Sequence, residues 1–166
     1  MLHNSEEIRT QLKEVTDAAH WAGDLFEKSF GAKVPDFPKH FVLVAEAPND
    51  ETLILGYVHF TQHENVYLGG GMCVNKQALR QLPKNLRSAL NQQGGVAYTM
   101  LSEAVKQLND CDAVFGYVGH KGAYRIDLAV GFEPTVHKHL IVYWKKPMNE
   151  LEQKQIIQKA HAYGPF

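Results

Sequence analysis

The stretch Gln92-Gln93-Gly94-Gly95-Val96-Ala97 separates an apolar segment that ends near Val74 from an amphipathic segment that runs to about Asn109. Apolar residues recur in the second segment at three- and four-residue steps, which predicts a helix. Two consecutive glycines at the start of a helix let a ligand approach the backbone closely, because no Cβ stands in the way. The first turn of a helix has unpaired N–H groups and a partial positive charge, so it suits a diphosphate. An ordinary tight loop would have the same glycines.

The segments around this stretch predict a sheet with both antiparallel and parallel strands. Strands are expected over residues 41–47, 53–63, 66–74, 113–118 and 136–144, and the first two form a hairpin across Pro48-Asn49-Asp50. The strand–helix–strand order on either side of the glycine pair implies parallel neighbours with a crevice at their carboxyl ends. The third strand contains Gly69-Gly70-Gly71, which indicates a bulge, a bend or the close approach of a ligand. A loop between two shorter strands is the alternative.

Three further helical patterns lie outside this core. Residues 5–29 read as one helix with Asn4 as its cap and Glu7 at the capping-box position. Residues 75–91 contain two short helical patterns separated by Pro83, and a last helix follows over residues 149–162. The last helix would cover an exposed part of the sheet or build a contact in a homodimer.

Composition limits the class of protein. With 166 residues, 45% of them hydrophobic, the chain is expected to form one domain, 1–166, with an adequate core. A formal net charge of −1 makes nucleic acid an unlikely partner. Cys73 and Cys111 lack a paired spacing, and no apolar run approaches the length of a membrane span. We therefore expect a cytoplasmic protein that does not bind membranes.

The spacing Gln92-x-x-Gly95-x-Ala97 resembles the Gln/Arg-x-x-Gly-x-Gly/Ala signature of the GNAT N-acetyltransferases, and the resemblance extends over residues 41–145. It implies an α/β (α+β) fold in which flanking helices surround a mixed sheet with a splayed parallel strand pair. It also implies acetyl-CoA, or another acyl-CoA, as co-substrate, and no metal. The family carries an edge strand before its first helix, for which the helix predicted at 5–29 leaves no room. The implied contacts with CoA are Met72, Cys73, Val74, Gln92, Gln93, Gly94, Gly95, Val96, Ala97, His120, Ala123 and Tyr124.

A second family motif, Asn-x-x-Ala-x-x-Leu-Tyr-x-x-x-Gly-Phe, is matched at Ala123 and Gly131-Phe132, but Asp127 stands where the family has its general-acid tyrosine. An ionised carboxylate would repel the departing thiolate. Burial that keeps Asp127 protonated, a donor role for Tyr124, or a proton from solvent would each solve this problem. Asp127 would alternatively recognise a cationic acceptor. His120, in place of the usual Asn, is a CoA contact, a titrating group or a helix cap.

The general base is harder to assign. His63 and Glu64, at the turn into the strand with three glycines, are the nearest candidates, with Glu46 behind them. His137 and His139 would share one face of the last strand, but no further ligands accompany them, so we expect no metal site there.

Three functions follow from the resemblance. The preferred one is transfer of an acetyl group from acetyl-CoA to a primary amine on a small molecule or peptide by direct attack. The second is a CoA-binding or regulatory module that has lost catalysis, which the Asp127 replacement would explain. The third, acetylation of charged tRNA, fits the near-zero net charge poorly.

Overall fold

The computed structural model describes residues 8–166 and contains one seven-stranded mixed sheet. The strand order is β1-β2-β3-β4-β5-β7-β6, and β4 and β5 are the parallel pair. This is the mixed α/β sheet that the sequence predicts. The strands are β1 (Arg9–Val15), β2 (Lys39–Glu46), β3 (Thr52–His63), β4 (Val66–Val74), β5 (Ala113–Tyr117), β6 (Glu133–Pro134) and β7 (Leu140–Trp144).

Helices cover both faces of the sheet. The helices are α1 (Ala18–Phe30), α2 (Lys76–Gln81), α3 (Lys84–Gln92), α4 (Val96–Gln107), α5 (Lys121–Val130) and α6 (Glu150–Ala162). The largest buried apolar cluster joins α2, α3, α4 and α5 to one face, and two smaller clusters hold α1 and α6 against the other. Within residues 8–166, none of these helices is both long and apolar enough to cross a bilayer.

The prediction of one helix over residues 5–29 is wrong, because this segment contains the edge strand β1 before α1. β1 pairs antiparallel with β2 along its whole length, from Arg9 opposite Glu46 to Val15 opposite His40. The helix begins only after Asp17, whose side chain accepts a hydrogen bond from the His20 backbone N–H. Pairing with β2 therefore overrides the helix-like spacing of the apolar residues. The expected cap and capping-box residues, Asn4 and Glu7, lie outside the described residues.

The two helices predicted at 75–91 are confirmed, and they are part of the core. Asn75 caps α2 by accepting a hydrogen bond from the Ala78 N–H, and Pro83 separates α2 from α3. Ala78, Leu82 and Leu90 are buried in the largest apolar cluster. This segment is therefore held firmly beside the loop at Gly94 and Gly95.

The last strand is shorter than predicted. It begins at Leu140 rather than 136, because residues 135–139 form a turn that the Thr135 hydroxyl stabilises by donating to backbone carbonyls. His139 has a positive φ of 71°, and Val136 is 92% exposed. His137 and His139 therefore lie in a turn and not on one face of a strand, which corrects the prediction. The helix predicted at 149–162 is present as α6, and it packs against β4, β5 and β7.

Candidate active site

The central feature of the sheet is the divergence of its parallel strands. β4 and β5 are paired only where Val66–Leu68 lies beside Ala113–Phe115. Past Leu68, β4 continues to Val74 in pairing with β3. The edge of β4 that faces β5 therefore has no strand partner over residues 69–74 within the described chain. Such a gap between parallel strands leaves main-chain groups available to a ligand, as the sequence predicts.

The three glycines form an irregularity inside one continuous strand and not a loop between two strands. The β3–β4 register shifts between Val58 and Phe60, so Gly70 and Gly71 lie opposite His59. A Cβ on Gly70 would come within 1.8 Å of His59 Nε2, so the imidazole takes the place of a side chain. The Gly71 N–H, turned out of the ladder, donates a hydrogen bond to His59 Nε2 at 3.3 Å. The glycines are thus needed by a bulge, as one of the sequence alternatives states.

A cavity of about 500 Å³ occupies the gap and has walls from both faces of the sheet. Leu101 of α4 belongs to the cluster on one face, and Phe26 of α1 to the cluster on the other. The lining is otherwise mostly apolar, and its titratable side chains are those of Tyr117, His120 and Asp127. The full lining is Phe26, Phe30, Ala32, Val58, Phe60, Gly69, Gly70, Gly71, Met72, Leu101, Phe115, Gly116, Tyr117, Val118, Gly119, His120, Ala123, Asp127, Phe132 and Phe166.

The glycine pair before α4 adopts backbone conformations that require glycine. Gly94 has a φ of 107° and Gly95 has φ 91° and ψ 172°, a region that other residues avoid. A Cβ on Gly95 would meet nothing within 4 Å, so the space beside it is open. Gly94 and Gly95 donate their own N–H groups to the carbonyls of Asn91 and Leu90.

The unpaired N–H donors at the start of α4 therefore belong to the residues that follow the two glycines. No side chain caps α4, and its first turn contains no acidic residue. Within the described part of the chain, the N–H groups of Val96, Ala97 and Tyr98 have no hydrogen-bond acceptor. Tyr98 was not among the predicted contacts, although the rule that the first turn of a helix leaves its N–H groups unpaired could have identified it.

Four cations of the preceding segment lie on the helices that lead to this loop. Lys76, Arg80 and Lys84 are exposed, and Arg87 is half-buried with a buried Nε that has no hydrogen-bond partner in the described residues. None of the four has an ion pair with another described residue. Gln92 and Gln93 are exposed at the end of α3. The electrostatic environment next to the unpaired amides therefore favours an anion.

Of the three β4 residues predicted to contact CoA, only Met72 lines the cavity. The Cys73 side chain is buried against α1, and burial raises the pKa of its thiol, so it is a packing residue rather than a nucleophile. Val74 packs at the edge of the largest cluster. The side chains of Cys73 and Val74 are therefore engaged in packing, and only their backbone groups are available at this edge of β4.

Helix α5 contributes His120, Ala123 and Asp127 to the cavity. His120 caps the helix, because its Nδ1 accepts a hydrogen bond from the Ala123 N–H at 3.3 Å. Tyr124 does not line this cavity; it faces a neighbouring one. The two candidate acids therefore line different cavities, even though they are only three residues apart on α5.

Asp127 is 6% exposed, and burial raises the pKa of its carboxyl to about 7. Desolvation is the single cause, since no ion pair or hydrogen bond from another described side chain supports the charged form. A carboxyl group in this environment holds a proton over much of the range below neutral pH. This buried environment is the one that the first of the three solutions for the missing tyrosine requires.

His63 and Glu64 are not brought to the cavity. They precede β4, at the opposite end of the strand from the gap. The Glu64 carboxylate forms an exposed ion pair with Lys159 at 3.4 Å, and the His63 ring packs against Tyr163 of α6's C-terminal end. Glu46 does not line the cavity either, and it forms an ion pair with Lys13 across β1 and β2.

The sequence analysis missed a chain of buried polar side chains that ends at the bulge. Tyr57 Oη lies 3.1 Å from His59 Nδ1 and 2.6 Å from His40 Nδ1. Because the Gly71 N–H can only donate, His59 Nε2 must accept, so its Nδ1–H donates to Tyr57 and the Tyr57 hydroxyl donates to His40. Burial, and then the neighbouring His40, lower the pKa of His59 to about 4. Both imidazoles are thus neutral at pH 7.

No group of three or more His, Cys, Asp or Glu side chains that could hold a metal occurs among the described residues. His137 stacks on His161 with ring centroids 3.6 Å apart, and His139 contacts Tyr117 edge-on. These histidines connect the turn before β7 to α6 and β5.

No family model and no curated relative matches this sequence. Solved structures do resemble it. A GNAT family acetyltransferase from Brucella melitensis in complex with acetyl-CoA superposes with a TM-score of 0.51 at 14% identity, covering 85% of this chain and 91% of that one. The E. coli protein YhhK bound to coenzyme A gives a TM-score of 0.50 at 14% identity, covering 82% and 98%. The chain therefore has the fold of the GNAT acetyltransferases.

Proposed function

We propose that this protein is an acyl-CoA-dependent N-acyltransferase that uses acetyl-CoA and transfers the acetyl group directly to a primary amine. The observation that carries the proposal is the cavity between the diverging strands β4 and β5, which is lined by Leu101 of α4, the helix whose first turn has three unpaired N–H groups. This combination fits a long, bent co-substrate with an anionic end and a reactive end.

In this proposal, acetyl-CoA would extend from the first turn of α4 to the free edge of β4. The N–H groups of Val96, Ala97 and Tyr98 would hold the diphosphate, with Lys76, Arg80, Lys84 and Arg87 nearby as counter-charges. The free edge of β4 would pair with the amides of the pantetheine arm. Acetyl-CoA supplies an activated acyl group that an amine can attack without a covalent enzyme intermediate.

The role of the protein in this reaction is mainly to orient the reactants. Holding two reactants in the productive geometry lowers a barrier by about 7 kcal/mol or more. The apolar cavity walls exclude water and favour the neutral form of an amine, which is the form that attacks. His59 acts as a positioning residue, because it fixes the bulge at Gly70 and Gly71.

Asp127 is our candidate general acid. Its buried carboxyl holds a proton near neutral pH and lines the cavity, where the leaving thiolate would need a proton. Tyr124 is the second candidate. No base is assigned, because His63 and Glu64 lie at the other end of β4 and His59 is too weakly basic at neutral pH.

A thiol-release assay with acetyl-CoA and a panel of amines tests the proposal. Release that depends on the amine supports the transferase. Tight CoA binding without release for any amine would instead favour the alternative, a CoA-binding or regulatory module.

A further inference from the structure

A second cavity, of about 480 Å³, adjoins the first and has no part in the function proposed above. It lies between the N-terminal half of α5 and the turn at residues 134–140. The two cavities share Val118, Gly119 and His120, which follow the end of β5. A molecule in the second cavity would therefore reach the point where the acyl group would be presented.

The lining of this second cavity is basic. Lys121, Arg125 and Lys138 are exposed side chains in its wall, together with three histidines, and neither Asp nor Glu is among the lining residues. The nearest acids in sequence are Asp127, which lines the first cavity, and Glu133 on β6. The whole chain has 17 Lys and Arg against 18 Asp and Glu, so this absence of acids is local. We call this cavity the basic pocket.

Its three cations also lack partners. Six other lysines of the described chain form ion pairs with carboxylates, whereas Lys121, Arg125 and Lys138 form none with any described residue. At the start of α5, the N–H groups of Lys121 and Gly122 have no acceptor in the described chain, and the first turn contains no acidic residue. A helix start of this kind adds a partial positive charge to that of the side chains.

We propose that the basic pocket binds an oxyanion, a carboxylate or a phosphate, carried by the acceptor amine. The inference rests on the proposed acyl transfer and narrows its acceptor to amines that also carry a negative group. Arg125 would engage the oxyanion with its planar fork, and the lysines would act as point charges. The amine itself would enter the first cavity past Gly119, so the spacing between amine and anion becomes a determinant of specificity.

Matched amines test this inference. An alkylamine, the amino carboxylate of the same chain length and the corresponding amino phosphonate are compared by thiol release, over several chain lengths. We expect kcat/KM for the better anionic amine to exceed that of the alkylamine by about tenfold or more, and the carboxylate and phosphonate arms identify the source of the oxyanion. Arg125→Glu should abolish this preference, whereas Lys154→Ala, a matched exposed lysine on α6, should retain it.

Two further measurements distinguish a failure of this inference from a failure of the proposed acyl transfer. The dissociation constant for CoA should be the same in Arg125→Glu and the wild type; a much weaker value would place the CoA phosphates in the basic pocket and overturn the inference. Binding of inorganic phosphate is followed by calorimetry without turnover and in the presence of saturating CoA, which would occupy the proposed diphosphate site, and it should be lost in Arg125→Glu. Unchanged phosphate binding, or equal kcat/KM for charged and uncharged amines, would also overturn it. Absence of release with every amine, alongside phosphate binding that Arg125→Glu abolishes, would refute the acyl transfer and not the anion site.

Discussion

The Nε2 atom of His59 accepts a hydrogen bond from the backbone N–H of Gly71 at 3.3 Å, and the same imidazole fills the space where Gly70 would carry a side chain. His59 of β3 thus accepts a hydrogen bond from the Gly71 N–H, which the bulge turns out of the ladder. The same side chain occupies the space beside Gly70. The bulge lies in the part of β4 that borders the cavity. The shape of the crevice therefore depends on a buried side chain of the neighbouring strand.

The first prediction concerns this pair of positions. His59→Ala leaves the half-buried Gly71 N–H without its partner, which costs about 1 kcal/mol of unfolding free energy. Gly70→Ala is also expected to destabilise, because the new Cβ collides with the imidazole. The double variant should lose less unfolding free energy than the two single variants together, since removal of the imidazole makes room for the methyl group. Urea unfolding measures all three, with His63→Ala as the exposed control on β3; strict additivity would contradict the relationship.

The second prediction is a loss of stability in mild acid. The pKa of His59 is lowered from 6.5 to about 4 by burial, so the unfolded state binds a proton that the folded state excludes. The neutral His59 contributes about 3 kcal/mol to the unfolding free energy above pH 6.5. This contribution is lost as the pH falls towards 4. His59→Gln cannot titrate and should show a flatter dependence of unfolding free energy on pH over this window. Parallel curves for the variant and the wild type would contradict a neutral buried imidazole.

The third prediction concerns the proton on Asp127. Its pKa is raised from 3.8 to about 7, so the folded state holds the proton more tightly, and stability is lost as the pH rises through 7. Asp127→Asn should therefore be more stable than the wild type at pH 8, by about 4 kcal/mol, and nearly equal to it near pH 4.

The same substitution tests catalysis. If Asp127 is the acid, kcat of the wild type falls as the pH rises through about 7, and Asp127→Asn is slow at every pH. Tyr124→Phe is the matched control, because Tyr124 lines the neighbouring cavity, and it should retain the pH profile of the wild type. A slow Tyr124→Phe variant beside a fully active Asp127→Asn variant would assign the role to the tyrosine.

The fourth prediction concerns the loop before α4. Gly95→Val should weaken CoA binding strongly, because its side chain enters the open space beside the unpaired amides and strains a backbone with φ 91°. Gly164→Val is the control. Gly164 also has a positive φ, 76°, and open space around it, but it lies after α6. The two variants should lose similar stability, and only Gly95→Val should lose CoA affinity in calorimetry. Equal affinities would refute the position of the diphosphate.

How far the sequence predicts this molecule depends on how local each signal is. The hairpin of β2 and β3, the helices on either side of Pro83 and the helix after Gly95 follow from periodicity and turn residues, which act within a few positions. β1 was missed because Leu12 and Val15 have a helix-like spacing, and only pairing with β2 makes the segment a strand. The start of β7 depends on hydrogen bonds of Thr135 that no periodicity shows.

The features of the candidate site also divide into those with a local sequence signal and those without one. The glycine loop at residues 92–97 is contiguous in sequence, so its resemblance to the family motif could be recognised directly. The contact of His59 with Gly70 and Gly71 arises from a register shift between two strands, and the raised pKa of Asp127 arises from burial by several elements. The position of His63 and Glu64 away from the cavity likewise depends on the tertiary structure. Proximity in sequence to β4 does not reveal which end of that strand faces the gap.

The main cavity shares Val118, Gly119 and His120 with the basic pocket, and on the proposed function this has a kinetic consequence. Acetyl-CoA would reach the gap along β4 and the amine would reach it through the basic pocket, so each could bind while the other is present. Initial-rate plots at varied acetyl-CoA and amine should then intersect, and free CoA should compete with acetyl-CoA but not with the amine. Separate routes of this kind would let the spent carrier leave without obstructing the acetylated product.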